Sequence, residues 1–283
     1  MFENIKEKLS RNAILIENAL DDYYNYSDAD YAFLIEAQRY GLLGGGKRIR
    51  AFLVLEFCRL FGGDIQHAMP YACAIEMIHA SSLIHDDMPC MDNDDMRRGK
   101  LSTHKAFGET LALISGDAML VNAFETAVSN PYCDLKVNAN AVSILAESTG
   151  NHGMLAGQAI DTVAGKNELD FETLLRLHKL KTGKLISASA KLGCLAVGVS
   201  IEDEKYAASV KYAEDIGLAF QIIDDILDYQ EGKRELNSFL SFMSLDEAKE
   251  YASKLTASGI FAISPYDDGT LTELAEYLTT REY

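Results

Sequence analysis

Two groups of aspartates stand far apart in this chain, each gathering three carboxylates within seven residues or fewer: Asp86-Asp87-Met88-Pro89-Cys90-Met91-Asp92 and Asp224-Asp225-Ile226-Leu227-Asp228. Carboxylates this close repel one another, so a folded chain needs a cation or a proton to hold them together. Mg²⁺ takes oxygen ligands, usually one or two carboxylates completed by substrate phosphates and water. The spacing therefore predicts two acidic walls, suited to hard divalent ions such as Mg²⁺, that face a phosphorylated substrate. Asp224 and Asp228 are four apart and share a helix face with Asp225 beside them. Asp86 and Asp92 are six apart, and Pro89 forbids a regular helix between them. A bulge at Pro89-Cys90 is expected to swing Asp92 back beside Asp86. A calcium loop beginning at Asp92 is excluded, because its sixth position would be Arg97 rather than glycine.

Basic residues are few but lie in tight sets. Gly44-Gly45-Gly46-Lys47-Arg48-Ile49-Arg50 puts Lys47 and Arg50 three apart, on one helix face after a flexible turn. Arg97 and Arg98 follow the first aspartates directly, and Lys181-Thr182-Gly183-Lys184 interrupts an apolar helix. Together with the aspartates, they imply two anionic groups, one held through metal and the other by Lys and Arg.

The elements that must position these residues read as helices almost throughout. Leu111, Ile114, Ala118, Val121, Phe124 and Val128 recur at threes and fours, as do Tyr206, Val210, Ala213, Gly217, Phe220, Ile223 and Leu227. Breaks at Phe61-Gly62-Gly63-Asp64, Asn130-Pro131, Gly165-Lys166-Asn167, Ser200 and Ser264-Pro265 cut the chain into helix-sized pieces with short connections. With 48% hydrophobic residues and only 4 prolines in 283 residues, a sizeable core is available, and one all-α domain over 1–283 is expected. A net charge of -17 excludes a nucleic-acid partner. Five scattered cysteines without a CxxC pair fit a reducing compartment, and no signal peptide or membrane span is expected, so the cytoplasm is the predicted location.

The chain resembles the short-chain trans-isoprenyl diphosphate synthases, the family of farnesyl and geranylgeranyl diphosphate synthases. The likeness runs from about Gly41 to the C-terminus. It is carried by Gly45-Gly46-Lys47-Arg48-Ile49-Arg50, the block from Glu76 to Lys100, Gly157-Gln158-Ala159-Ile160-Asp161, Lys181-Thr182-Gly183 and Phe220-Gln221-Ile222-Ile223-Asp224-Asp225. The resemblance implies a single large helical bundle of the isoprenoid synthase type around a central cavity, acting as a homodimer. It implies that Asp86, Asp87, Asp92, Asp224, Asp225 and Asp228 bind Mg²⁺ on the diphosphate of an allylic substrate (dimethylallyl, geranyl or farnesyl), assisted by Arg97, Lys181 and Lys184. Lys47, Arg50, His79 and Arg98 match positions that hold isopentenyl diphosphate. Thr182 and Gln221 match residues whose oxygens line the developing allylic cation.

Product length is expected to follow from the helix entering the first aspartates. Ser81 and Ser82 lie five and four residues before Asp86. In farnesyl-producing relatives of this subtype an aromatic residue commonly stands at the place of Ser81 and floors the pocket. Two serines leave that floor open, and Met77 and Ile78 lie about one turn deeper. The expected product is geranylgeranyl diphosphate. The alternatives are farnesyl diphosphate, or a weakly active or non-catalytic subunit of a heteromeric synthase. The chain departs from the family pattern at Ala51, where proline is usual, and after Asp228, where Tyr229 to Phe239 is short and Lys233 is the candidate to replace an expected lysine. Two other classes fit less well. Glu76-Met77-Ile78-His79 has the form of a di-iron ligand pair but lacks its second copy, and a terpene cyclase would lack the Lys47 and Arg50 set.

Overall fold

A computed structural model describes residues 2–25, 30–164, 167–232 and 236–280. Among these, thirteen helices carry the fold: α1 (Glu3–Tyr23), α2 (Ala32–Leu42), α3 (Ile49–Leu60), α4 (Ile65–Asp86), α5 (Thr103–Phe107), α6 (Glu109–Val128), α7 (Leu135–Thr149), α8 (Met154–Ala164), α9 (Phe171–His178), α10 (Lys184–Ala196), α11 (Glu204–Gln230), α12 (Leu245–Ile263) and α13 (Thr270–Thr279). The helix starts follow local chemistry. Asp64, Asp134, Asp170 and Asp203 each accept a hydrogen bond from a first-turn amide, and Ser244 with Glu247 closes a capping box. The all-α expectation holds, with one exception that matters: a hairpin of β1 (Met96–Arg97) and β2 (Lys100–Leu101).

α4 is the central helix. Ala72, Cys73, Ala74, Ile75, Met77 and Ile78 are fully buried along it, and α3, α6 and α10 pack around it. Burial on every side explains why α4 shows no clean amphipathic stripe. A second core joins α3, α10, α11 and α13 through Phe52, Phe57, Ile216 and Leu274. A third links α9, α11 and α12 around Ile222 and Phe239.

The structure corrects the face expected for α6. Its buried residues are small, Ala112, Ser115, Gly116, Ala123 and Ala127 with Met119, whereas Ile114, Val121 and Val128 are 47%, 64% and 41% exposed. The reason is proximity to α4: a side chain at Gly116 would begin 2.2 Å from the His85 ring. Close approach selects small residues and turns the large apolar ones outward. By length and composition alone α6 could cross a membrane, which the sequence reading did not foresee; in the fold one of its faces is packed against α4.

Candidate active site

α4 stops at Asp86, three residues before Pro89, because a proline disfavours helical backbone in the residue ahead of it. The bulge expected at Pro89-Cys90 takes the form of a turn that ends the helix. Its outcome is the one the spacing required. The amide of Asp92 donates to the carbonyl of Asp86 at 2.9 Å, and Met91 and Asn93 both donate to Met88. Burial pushes the Asp86 carboxyl up to about 6; Lys181 opposes this and Asp92 adds to it. Burial raises Asp92 as well, again opposed by Lys181. Asp86, Asp92 and Lys181 thus feel one another, and the Lys181 ammonium lies 2.5 Å from Asp161.

Lys181 and Thr182 sit in a single π-helical turn, Lys179–Gly183, inserted between α9 and α10. Such turns are rare and favour functional sites. Here α8 comes so close that a Cβ at Gly157 would lie 2.3 Å from the Lys181 amide. This close approach explains why the Gly157-to-Asp161 segment and the Lys-Thr-Gly segment, distant in sequence, belong to one site. The π turn also packs against α11, which carries Gln221, Asp224 and Asp228.

Two of the six expected metal ligands serve the protein itself. Asp87 is buried and accepts from Arg97, which also reaches Asp94 at 3.2 Å. Asp225 is buried and its Oδ2 accepts from the Ser238 hydroxyl at 2.9 Å and the Phe239 amide at 2.7 Å. It anchors the segment that follows Asp228. Lys233 lies outside the described residues. No three His, Cys, Asp or Glu among the described residues are already gathered as a metal cage. Mg²⁺ takes only one or two carboxylates from a protein and completes its octahedron with water and phosphate. The partly buried, raised carboxyls of Asp86 and Asp92 mark a wall suited to a cation, and Asp224 and Asp228 present the same donor type from α11.

The basic residues form a second cluster. Lys47 and Arg50 do not share a helix face: α3 begins at Ile49, and Lys47 lies outside it, 4.7 Å over the Tyr277 ring of α13. Between them Arg48, which the sequence reading passed over, is buried with φ of 50° and binds Glu17 at 2.9 Å, Glu76 at 3.4 Å and the Leu42 carbonyl at 2.6 Å. Glu76 also accepts from the Ala51 amide at 3.1 Å, so it is committed to this loop and the di-iron reading fails. Ala51 is itself fully buried, as a small residue under Glu76.

Arg98 and Gly99 both take positive φ and make the two-residue turn of the β1–β2 hairpin. The turn aims Arg98 at the glycine loop, where its Nη1 donates to the Gly45 carbonyl at 2.6 Å. A Cβ at Gly46 would lie 2.9 Å from that guanidinium. Lys100 clamps the other side, donating to the carbonyls of Tyr40 and of Leu43, the latter at 3.0 Å. Burial and then the charges of Arg50 and Arg98 push His79 well below the usual imidazole range, so it is neutral here. Burial also lowers Arg50, whose Nε finds no protein partner among the described residues. Several cations in partial burial with a spare donor form a seat for an anion. Lys184 stands apart from both clusters, 3.9 Å from Glu147, on the wall of another cavity.

Residues 32–240 match the model of the Polyprenyl synthetase family. The chain belongs to that family. It is 38% identical to a geranylgeranyl pyrophosphate synthase, chloroplastic, of Capsicum annuum over 99% of this chain and 79% of that protein. A dimethylallyltranstransferase of Fischerella ambigua is 36% identical over 99% and 84%. Among solved structures, an FPP/GFPP synthase from Zymomonas mobilis superposes with a TM-score of 0.91 at 38% identity, covering 99% of this chain and all of the other. A geranyltransferase from Legionella pneumophila gives 0.91 at 31% identity, over 99% and 98%. The bundle is accordingly an isoprenyl synthase fold, and the chain is a prenyltransferase.

Proposed function

We propose that this enzyme condenses isopentenyl diphosphate with allylic diphosphates and makes geranylgeranyl diphosphate as its main product. The observation that carries this reading is the pair of differently charged clusters that share α4, an acidic one at Asp86 and Asp92 where the helix ends and a cationic one in which Arg50 and Arg98 act on His79.

Mg²⁺ held by Asp86, Asp92, Asp224 and Asp228 would supply positive charge to the departing allylic diphosphate. Lys181 and Arg97 add fixed charge on that side, which favours breaking the allylic C–O bond. Thr182 of the π turn and Gln221 of α11 offer their oxygens to the allylic cation. Lys47, Arg50 and Arg98 hold the diphosphate that stays intact, and neutral His79 offers it a hydrogen bond. The isopentenyl double bond attacks the cation, and a proton leaves to the released diphosphate. Apolar walls keep water away.

Geranylgeranyl product rests on the small, buried Ser81 and on Met77 and Ile78 deeper in α4. A homodimer is supported by α6, where Ile114, Val121 and Val128 recur every seven residues as an exposed apolar seam. Cytoplasmic location rests on five unpaired cysteines. An Arabidopsis thaliana relative, 41% identical over 87% of this chain and 72% of that protein, is named the large subunit of a heterodimeric synthase, so assembly is worth measuring directly. The deciding experiment incubates the protein with Mg²⁺, isopentenyl diphosphate and each allylic diphosphate in turn. A twenty-carbon diphosphate as the main product is expected. A fifteen-carbon product would favour farnesyl diphosphate synthase, and no product would favour a non-catalytic subunit. Sedimentation should give twice the chain mass.

A further inference from the structure

A cavity of about 510 Å³ opens between the π turn with α10, α11 and α12, within the size range of small-molecule sites. None of the aspartates or arginines described above lines it. One wall is polar. Lys179 and Lys184 are five residues apart, which on an α-helix would turn them about 140° from each other. The π turn Lys179–Gly183, with its wider i to i+5 spacing, brings both to this wall. Below them Ser187 is 2% exposed, and its hydroxyl has no hydrogen-bond partner among the described residues. A buried hydroxyl left unpaired is costly, so this one calls for a ligand atom or a water.

The facing walls differ. Leu218 of α11 and Tyr251 and Leu255 of α12 give an apolar surface, while Glu214 and Asp215 of α11 also line the cavity and bring two carboxylates to set against its three lysines. Lys211 is spent on Asp215 and on Ser258 at 3.0 Å. Lys179 forms no ion pair among the described residues, and Lys184 has only the long contact to Glu147. Glu214 forms no ion pair with either lysine among the described residues. In a chain of net charge -17, two lysines without a close counter-ion on one wall, in a lining of three lysines and two carboxylates, are an anion-binding feature.

We propose that this cavity is a second ligand site, separate from the two diphosphate seats, for an amphipathic organophosphate. Its phosphate lies on Lys179, Lys184 and the Ser187 hydroxyl, and its apolar body lies on Leu218, Tyr251 and Leu255. Lys179 opens the π turn that holds Lys181 and Thr182, and Lys184 follows it as the first residue of α10, so an occupant bears on the turn that carries residues assigned to the allylic substrate. The proposal stands whatever the product length proves to be.

The test uses dodecyl phosphate as probe in metal-free buffer, with binding followed by calorimetry and location by amide hydrogen exchange. One saturable site per chain is expected, with slower exchange across 179–187. Inorganic phosphate should bind at least about tenfold more weakly, because it gains nothing from the apolar wall. Lys179→Glu should weaken dodecyl phosphate about tenfold or more, and Lys179→Ala should weaken it less but in the same direction. Lys179 is exposed, so both variants should fold, which circular dichroism checks. Arg50→Ala should leave binding unchanged. Absence of saturable binding, equal affinity for inorganic phosphate, or loss in Arg50→Ala with retention in Lys179→Glu would each overturn the proposal.

Discussion

The backbone amide of Asp92 donates to the carbonyl of Asp86 at 2.9 Å, closing a turn over Pro89 and Cys90 that no regular helix would allow. That one bond sets two carboxylates, six residues apart in sequence, on the same rim. Burial, with nearby carboxylates adding to it, then raises both the Asp86 and Asp92 carboxyls, which a bound cation would counter.

Removing one carboxylate should therefore weaken charge neutralisation at the leaving group. Asp86→Asn and Asp224→Asn are each expected to lower kcat by at least about a hundredfold, the scale seen when one preorganised electrostatic partner is lost. Helix content should not change, since neither side chain caps its helix. Steady-state assays at saturating Mg²⁺ check this. Near-normal turnover in either folded variant would sink the two-wall arrangement.

Arg50 belongs to the opposite seat. Its Nε has no protein partner among the described residues, and Arg98 and His79 lie close enough to interact with its charge. Arg50→Ala should raise the KM for isopentenyl diphosphate by about tenfold or more while changing that of the allylic substrate far less. Equal rises for both substrates would show that the seats are not separate.

Much of this was legible in the sequence because it was local. The four-residue spacing of Asp224 and Asp228 needs only a helix, and Pro89 announces a break wherever it occurs. The packing face of α6 was not legible. Periodicity counts large apolar residues, whereas the α4 contact at Gly116 and His85 demands small ones. Arg48 was also hidden, since nothing local separates a buried arginine from its neighbours Lys47 and Arg50; Glu17 and Glu76 decide it from two other helices. The π turn has no periodic signature at all. Asp87 and Asp225 looked like ligands by type, and their partners, Arg97 for the one and the Ser238 hydroxyl with the Phe239 amide for the other, come from elements whose approach no spacing encodes.

His178 offers a test by pH. It is buried, stacks on Phe239 with ring centres 4.9 Å apart, and its Nε2 has no partner among the described residues. Burial lowers its pKa to about 4; Asp161 opposes this and Lys181 adds to it. An imidazole depressed in the fold leaves the unfolded chain binding more protons, so stability falls as pH drops from about 6.5 toward 4 and levels off below. The loss is on the order of a few kcal/mol at the acid limit. Thermal melts should show the wild type losing more stability over this window than His178→Leu does. The same slope in both proteins would place the acid-sensitive group elsewhere.

The last prediction concerns product length. Ser81 is 2% exposed and its hydroxyl is satisfied by the Ile78 carbonyl at 2.8 Å, while Ser82 bonds that of His79 at 2.9 Å. Neither serine projects bulk, so this level of α4 does not block a growing tail. The rival floor must come from α6. His85 meets Leu113 and Met77 meets Thr126, so the two helices run antiparallel and the level of Ser81 falls near Leu120, beside the buried Met119. One turn deeper, about 5.4 Å and close to one isoprene unit, Met77 separates this level from a cavity of about 170 Å³ that it lines with Tyr23 and Thr126. Ser81→Tyr should close the pocket and shift the main product from twenty carbons to fifteen. Met77→Ala should open the way into the lower cavity and lengthen the product. Chromatography of the dephosphorylated alcohols reads both. An unchanged product from Ser81→Tyr together with a longer one from Met119→Ala would move the floor from α4 to α6.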